Sequence, residues 1–147
     1  MAKQVRKAVR TYLIRDGKVV VIRYRGKFEG YFDIPGGKIE DGESSEEASA
    51  REFAEETGIR IVRQHFVGRH VVEFPERVFD FGVFVVDEYE GEPQGFAGND
   101  SMWADLATIQ QRKKIFESIK AIPYLRDGMD LKMICDAGRK ILKLEGD

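Results

Sequence analysis

A mixed α/β (α+β) fold, a sheet carrying helices, is what this sequence of 147 residues predicts, and three observations predict it. Runs with strand character alternate with helical patterns along the chain. Asp16-Gly17 joins two apolar-rich runs, a strong hairpin signal. One segment, from Ser44 to Thr57, carries both a start and a stop signal for a helix.

The elements follow in order. "VRKAVRTYLI" and "KVVVIRYR" flank Asp16-Gly17 and read as the two arms of a hairpin. "YFDIP" is a short extended piece, stopped by Pro35 and released through Gly36-Gly37. "SSEE" offers a capping box for the helix that follows, and Gly58 suits its left-handed end. "IRIVRQHFVGRHVVEF" and "RVFDFGVFVV" read as strands around a Pro75-Glu76 turn. The polar, glycine-rich "DEYEGEPQGFAGND" reads as a loop near the site, and "SMWADL" as a further short strand. Helical patterns are expected at about 107–120 and 129–144, the second with Met129, Leu131, Ile134, Ile141 and Leu142 on overlapping faces. The length fits one domain over residues 1–147, with about 125–147 as a C-terminal helical extension.

Composition narrows the class. A formal net charge of −2 gives no global basic field for nucleic acid, so none is expected as a partner. The single cysteine, Cys135, excludes an internal disulfide and offers no zinc-ligand spacing. The longest apolar run near the N-terminus, "VVVI", is far too short to span a bilayer, so no membrane is expected and a cytoplasmic location is. Two histidines, His65 and His70, both in a strand-like stretch, give little support to a Ser-His-Asp triad.

The chemistry concentrates in "PGGKIEDGESSEEASAREFAEETGI", residues 35–59. At about 100° per residue, Glu52, Glu55 and Glu56 fall within an arc of roughly 100° on the helix. Phe53, Ala50 and Ala54 fall on the other side, where they can dock on the sheet. Carboxylates at these spacings repel, and a bound divalent cation removes the conflict. Magnesium takes oxygen ligands, keeps several waters and is shared between carboxylates and substrate phosphates. The backbone carbonyl of Gly36 is a further candidate ligand, and glycine there lets the chain approach a metal closely. Arg51, four residues before Glu55, can orient a carboxylate as its ion-pair neighbour.

A glutamate-rich helix is most often a solvated face. The spacing argues otherwise here. Gly37, Glu43, Arg51, Glu52, Phe53, Glu55, Glu56, Gly58 and Ile59 spell G-x5-E-x7-R-E-U-x-E-E-x-G-U, with U a bulky apolar residue. Seven fixed positions arise by chance at roughly 1 in 10^7 per start point. The pattern resembles the Nudix box. The entry turn "DIPGGKIEDGE", the stretch "VEFPERVFDFGVFVVDEYEGEPQG" and Trp103 narrow the resemblance to the MutT type, over roughly residues 5–125.

The resemblance implies a Nudix fold, a mixed β-sheet sandwiched between helices with a catalytic loop–helix–loop. It implies a hydrolase that cleaves a nucleoside triphosphate, oxidised or non-standard, to the monophosphate and pyrophosphate. Another nucleoside diphosphate derivative, such as ADP-ribose or a capped RNA end, is the alternative, and a binding module without catalysis the less favoured one. Magnesium is the implied cofactor, with manganese as substitute, and a small nucleotide the partner; a homodimer is left open. Glu52, Glu55 and Glu56 would hold metal with the Gly36 carbonyl, Glu52 would also orient or deprotonate water, and Arg51 would join them as a catalytic residue. Arg25 matches a phosphate-contacting arginine, and Phe32 is a candidate for lining a nucleobase pocket with core burial as the equal alternative. Two departures stand out. The acidic loop ligand of the MutT type is matched by Ala97, with Asp100 three residues on as a stand-in, and the base-recognising asparagine has no clear counterpart in "QQRKKIFES", residues 110–118.

Overall fold

The computed structural model describes residues 3–73, 75–94, 99–109 and 111–115. Eight strands and two α-helices are described, with a 3-10 turn at Gly26–Phe28: β1 Gln4–Tyr12, β2 Ile14–Arg15, β3 Lys18–Tyr24, β4 Phe32–Asp33, β5 Gly36–Lys38, α1 Ser45–Thr57, β6 Arg60–Glu73, β7 Arg77–Glu90, β8 Asn99–Asp105 and α2 Leu106–Ile109. One sheet has the order β5-β1-β7-β6, with β1 and β7 parallel and the other pairs antiparallel. In the other, β3 carries β8 along one edge, while β2 and β4 pair with its two ends.

The Asp16-Gly17 turn forms as its sequence predicts, with φ of 48° and 76° at the two positions. The arm before it does not run through as one strand. It breaks at Leu13, so that β1 joins the β7 sheet and only β2 completes the hairpin. The break serves burial. Tyr12 and Ile14 both enter a core cluster drawn from the two sheets and α2, with Val19, Val21, Phe32, Val83 and Val85. Leu13, fully buried, enters a second cluster with Val20 of β3 and Phe53 of α1.

Helix α1 follows its local signals closely. Ser44 caps it, the Glu47 backbone N–H donates to the Ser44 hydroxyl, and the Ser44 N–H donates back to the Glu47 carboxylate. Gly58 ends it with φ of 79°. Its docking stripe differs from the expected one: Ala48, Ser49, Phe53 and Thr57 are buried, while Ala54 is exposed. The stripe is partly polar because Ser49 shares a 2.7 Å hydrogen bond with Thr11 of β1 and donates to Gln64 of β6 at 2.6 Å. These bonds satisfy buried hydroxyls and fix the helix against the sheet.

Two other expectations change. Of the helix predicted over 107–120, the described residues show the single turn of α2, a turn at 111–114 and Ile115 bridging in parallel to Phe32, while 110 and 116–120 lie outside the described residues. The Phe32 N–H donates to the Lys114 carbonyl at 2.9 Å, so this segment satisfies the open edge of β4 instead of coiling. The predicted loop 87–100 shrinks, since Asp87–Glu90 belong to β7 and Asn99 and Asp100 open β8. The helix expected at 129–144, the extension 125–147 and Ala97 lie outside the described residues. No helix among the described residues is long and apolar enough to cross a membrane.

Candidate active site

The site begins where α1 lies against β5. Gly36 and Gly37 pair with Arg10 and Val9 of β1, which holds the turn flat beneath the helix. Here glycine is a steric requirement. A Cβ on Gly36 would lie 2.0 Å from the Val9 carbonyl oxygen, and one on Gly37 would lie 2.4 Å from Cδ of Glu52. The Glu52 carboxylate therefore occupies the space that any other residue at 37 would fill.

The three carboxylates differ in setting. The Glu52 side chain is 18% exposed and the Glu55 side chain 60% exposed. Glu56 accepts a hydrogen bond from the Gly36 N–H at 3.1 Å. Burial pushes the Glu56 carboxyl up to about 8, Glu52 and Asp33 add to the rise, and the Gly36 N–H and Arg10 oppose it. Two of the ligands expected from the sequence thus face the glycine turn, and the third stands at the solvent rim.

Arg51 ties this end of the site together. Its Nε and Nη2 grip Glu43 at 2.6 and 2.9 Å, its Nη1 donates to Glu52 at 3.0 Å and to Glu55 at 3.2 Å, and its Nη2 also donates to the Lys38 carbonyl. The bidentate grip, first, and the Glu40 N–H, second, hold the Glu43 carboxyl down at about 2. Glu43 first, and then Glu52, raise the guanidinium of Arg51 further above its ordinary value. The repulsion evident in the sequence is thus relieved partly by one arginine.

The donor set suits a hard divalent cation. Among the described residues no three acidic, histidine or cysteine side chains form a closed metal cage. A magnesium-type ion does not need one, because it binds through one or two carboxylates and retains water. Glu52, Glu55, Glu56 and the Gly36 carbonyl would hold it, and the close Gly37–Glu52 approach leaves that carboxylate beside the turn. The residues present fit the ion.

The other nominated residues gather elsewhere on the fold. Register places Phe32 of β4 and Asp100 of β8 directly on either side of Arg23 of β3, in one row on one sheet face. Asp100 accepts from Arg23 Nη2 at 2.9 Å through one oxygen and from Arg25 Nη2 through the other. Arg23, then Arg25, hold the Asp100 carboxyl below its ordinary range. Asp100 is thus engaged by two arginines and does not stand as a bare metal ligand. Phe32 is 5% exposed, in the core, with the Arg112 guanidinium 4.8 Å over its ring. Core burial, the alternative weighed for Phe32, is what its ring adopts.

Sequence reasoning missed Arg23, Arg112 and a buried group at the floor. "RYR" carried the signal for Arg23, since residues two apart on a strand share a face. Asp33, 2% exposed, accepts from the Ile34 N–H at 2.8 Å and from the Tyr24 hydroxyl at 3.1 Å, and pairs with Arg10 at 3.4 Å. Arg10 also stacks 4.5 Å from the centre of the Phe81 ring. Nothing in the local pattern of "FDIP" signalled that pairing.

Comparison with known proteins meets this geometry. The family model described as the NUDIX domain matches residues 4–125. An 8-oxo-dGTP diphosphatase of Escherichia coli is 42% identical over 79 residues, 52% of this chain and 60% of that protein. An oxidized purine nucleoside triphosphate hydrolase of Danio rerio is 34% identical over 103 residues, 66% of this chain and 64% of that protein. An ADP-ribose pyrophosphatase of Methanocaldococcus jannaschii is 34% identical over 127 residues, 81% of this chain and 72% of that protein. The chain therefore spans less than two thirds of the first two relatives. The crystal structure of a MutT NUDIX hydrolase from Burkholderia pseudomallei superposes with a TM-score of 0.72 at 22% identity, covering 82% of this chain and 96% of that one, which shows the fold. With the box residues read from the sequence assembled on α1 and β5, and the family model matched from the first strand onward, the chain belongs to the NUDIX family.

Proposed function

We propose that this protein is a magnesium-dependent hydrolase that cleaves a nucleoside triphosphate to the nucleoside monophosphate and pyrophosphate. Manganese would substitute for magnesium. A small nucleotide with an oxidised or non-standard base is the substrate class, in keeping with the names of the E. coli and D. rerio relatives. The observation that carries the reading is Glu52, mostly buried against Gly37 and gripped from behind by Arg51. A carboxylate so fixed is suited to take the proton of an attacking water.

In this reading the water oxygen bonds to phosphorus, the phosphoanhydride P–O bond breaks, and the proton passes to a Glu52 carboxylate oxygen. Arg51 donates to Glu52 at 3.0 Å and orients its carboxylate. Glu43 in turn locks Arg51, so the three act as a unit along one side of the turn. The metal, when bound, neutralises phosphate oxygens and lowers the pKa of water.

A second reading is favoured by one observation: the archaeal ADP-ribose pyrophosphatase is matched over the largest share of this chain among the relatives named above. The two differ in which phosphorus is attacked. A magnesium-dependent screen of oxidised and ordinary nucleoside triphosphates against ADP-ribose, in oxygen-18 water with products weighed by mass spectrometry, tests both. Absence of metal-dependent hydrolysis across the panel would overturn the enzymatic reading.

A further inference from the structure

A largely buried cation lies beside the glycine turn, apart from Arg51 and its carboxylates. Arg10 of β1 pairs with Gly36 of β5, so the two lie side by side in the sheet. Gly36 has no side chain, and the Arg10 guanidinium takes up the space next to it: a Cβ on Gly36 would lie 2.7 Å from Arg10 Nη1. Asp33 holds the same guanidinium, with Arg10 Nη2 3.4 Å from its Oδ2. Arg10 Cζ also lies 4.5 Å from the centre of the Phe81 ring of β7. The Arg10 side chain is only 20% exposed and that of Asp33 3%, so the pair is mostly out of water.

Its anchor is itself fixed. Asp33 accepts from the Ile34 N–H and from the Tyr24 hydroxyl. Two residues on, the Pro35 carbonyl accepts from the Thr11 N–H at 2.9 Å. The entry turn from Asp33 to Gly36 is thus strapped to β1, and Arg10 meets both of its ends. The Gly36 N–H, in turn, donates to Glu56 at 3.1 Å. One short chain of contacts therefore runs from Asp33 through Arg10 and the Gly36 peptide to a box carboxylate.

A cation in this place can act in two ways. As charge alone it opposes a metal, since a fixed positive group near Gly36 and Glu56 repels a divalent ion. As a brace it favours one, because ligands already held in place have less freedom to lose when the ion arrives. The shape of the guanidinium separates the two. A lysine would keep the charge, but a single ammonium could not lie along Gly36, reach Asp33 and stack on Phe81 at once.

We infer that Arg10 is a positioning residue for the reaction: anchored by Asp33, it braces the Gly36 peptide, and through it the Glu56 carboxylate, in the arrangement that receives the divalent ion. This rests on the metal-dependent reading for the ion, but the brace is tested without turnover. Two variants leave the local charge unaltered. Arg10→Lys keeps the cation and loses the fork. Arg10→Met/Asp33→Asn removes both charges together, so that neither is left buried alone. Charge counting predicts no change in metal affinity for either; bracing predicts a loss in both.

The test measures binding of manganese ion to the full chain, without nucleotide, by electron paramagnetic resonance of the free ion. It is run at a temperature where melts in EDTA show each variant fully folded. Both variants are expected to raise the manganese Kd by about tenfold, the lower end of what loss of an outer partner costs a metal site. With a hydrolysed nucleotide, the magnesium concentration for half-maximal rate should rise in step, while the nucleotide KM at saturating magnesium stays within about twofold. An unchanged or lowered manganese Kd in either variant overturns the brace, and Arg10→Lys decides alone if the double variant does not fold by circular dichroism. A raised nucleotide KM with an unchanged magnesium dependence would put Arg10 on the substrate and overturn it as well. Wild-type protein that takes up no manganese at millimolar concentration overturns the metal site and the brace together. Manganese affinities that respond as stated in a protein that hydrolyses no nucleotide would sink the hydrolase reading and leave the role of Arg10 standing.

Discussion

Gly37 and Glu52 are in contact that no other residue pair at these positions could make: a methyl group on Gly37 would lie 2.4 Å from the Glu52 Cδ and 2.5 Å from its Oε1. The neighbouring Gly36 is crowded by something different, the Val9 carbonyl of β1 at 2.0 Å. One glycine is confined by the end of a side chain that can swing away, the other by backbone that cannot.

Alanine at the two positions should therefore separate activity from stability. Gly37→Ala should keep the fold, with a melting temperature within a few degrees of wild type, and lose turnover because Glu52 is displaced. Gly36→Ala should destabilise by about 2 kcal/mol or more, as overpacking against fixed backbone does. Thermal melts and steady-state rates on both variants check this. Equal stability losses would mean that Glu52 is no freer to move than β1.

Glu52→Gln keeps the shape and the Arg51 contact at one oxygen but removes a charge and a proton acceptor. Turnover should fall by about 10^2 to 10^4, the usual contribution of a general base, with the melting temperature little changed. Wild-type rates on any cleaved nucleotide would end the proposed mechanism.

Glu56 should make the stability of the metal-free protein depend on pH. Its folded value, about 8, is above the ordinary 4.5, so its contribution is fully present below about 4.5 and is lost as pH rises through about 8. In EDTA the protein should lose at most on the order of 5 kcal/mol between these limits, and Glu56→Gln should flatten the slope. Magnesium needs the ionised carboxylate, so its stabilisation should grow over the same range, reaching about 2.7 kcal/mol at a hundredfold excess over Kd. Melting temperatures across pH, with EDTA and with magnesium, give both slopes; a Glu56→Gln protein with the wild-type metal response would place the ion elsewhere.

Glu43 has the opposite sign. Its folded value, about 2, lies below 4.5, so the stabilisation it gives through Arg51 is present above about 4.5 and lost as pH falls through about 2. Glu43→Gln should weaken the neutral-pH protein and shallow its acid denaturation. Acid titrations followed by circular dichroism test this; an acid limb parallel to wild type would show that Arg51 is held by its other partners.

Much of the box helix was legible in the sequence because its causes are local. Ser44, Glu47 and Gly58 act within four residues of the backbone groups they satisfy, and Asp16-Gly17 turns the chain without outside help. Glu52, Glu55 and Glu56 share a helical arc at any docking angle. The spacing of nine residues over a short span also named the family, because a helix and its entry turn preserve spacing. What only the tertiary structure decided is long-range. The parallel pairing of β1 with β7 cuts the first strand at Leu13, and the open edge of β4 draws Ile115 out of a helical pattern. Arg23 and Arg25 meet Asp100 across 77 and 75 residues of chain, and Arg10 meets Asp33 between strands of different sheets. Hydrophobic periodicity says which face of a strand is buried but not which strand lies beside it, and charge partners are set by that neighbour. For that reason the helix carboxylates could be placed on one arc from the sequence, whereas Asp100 could be named but its arginine partners could not.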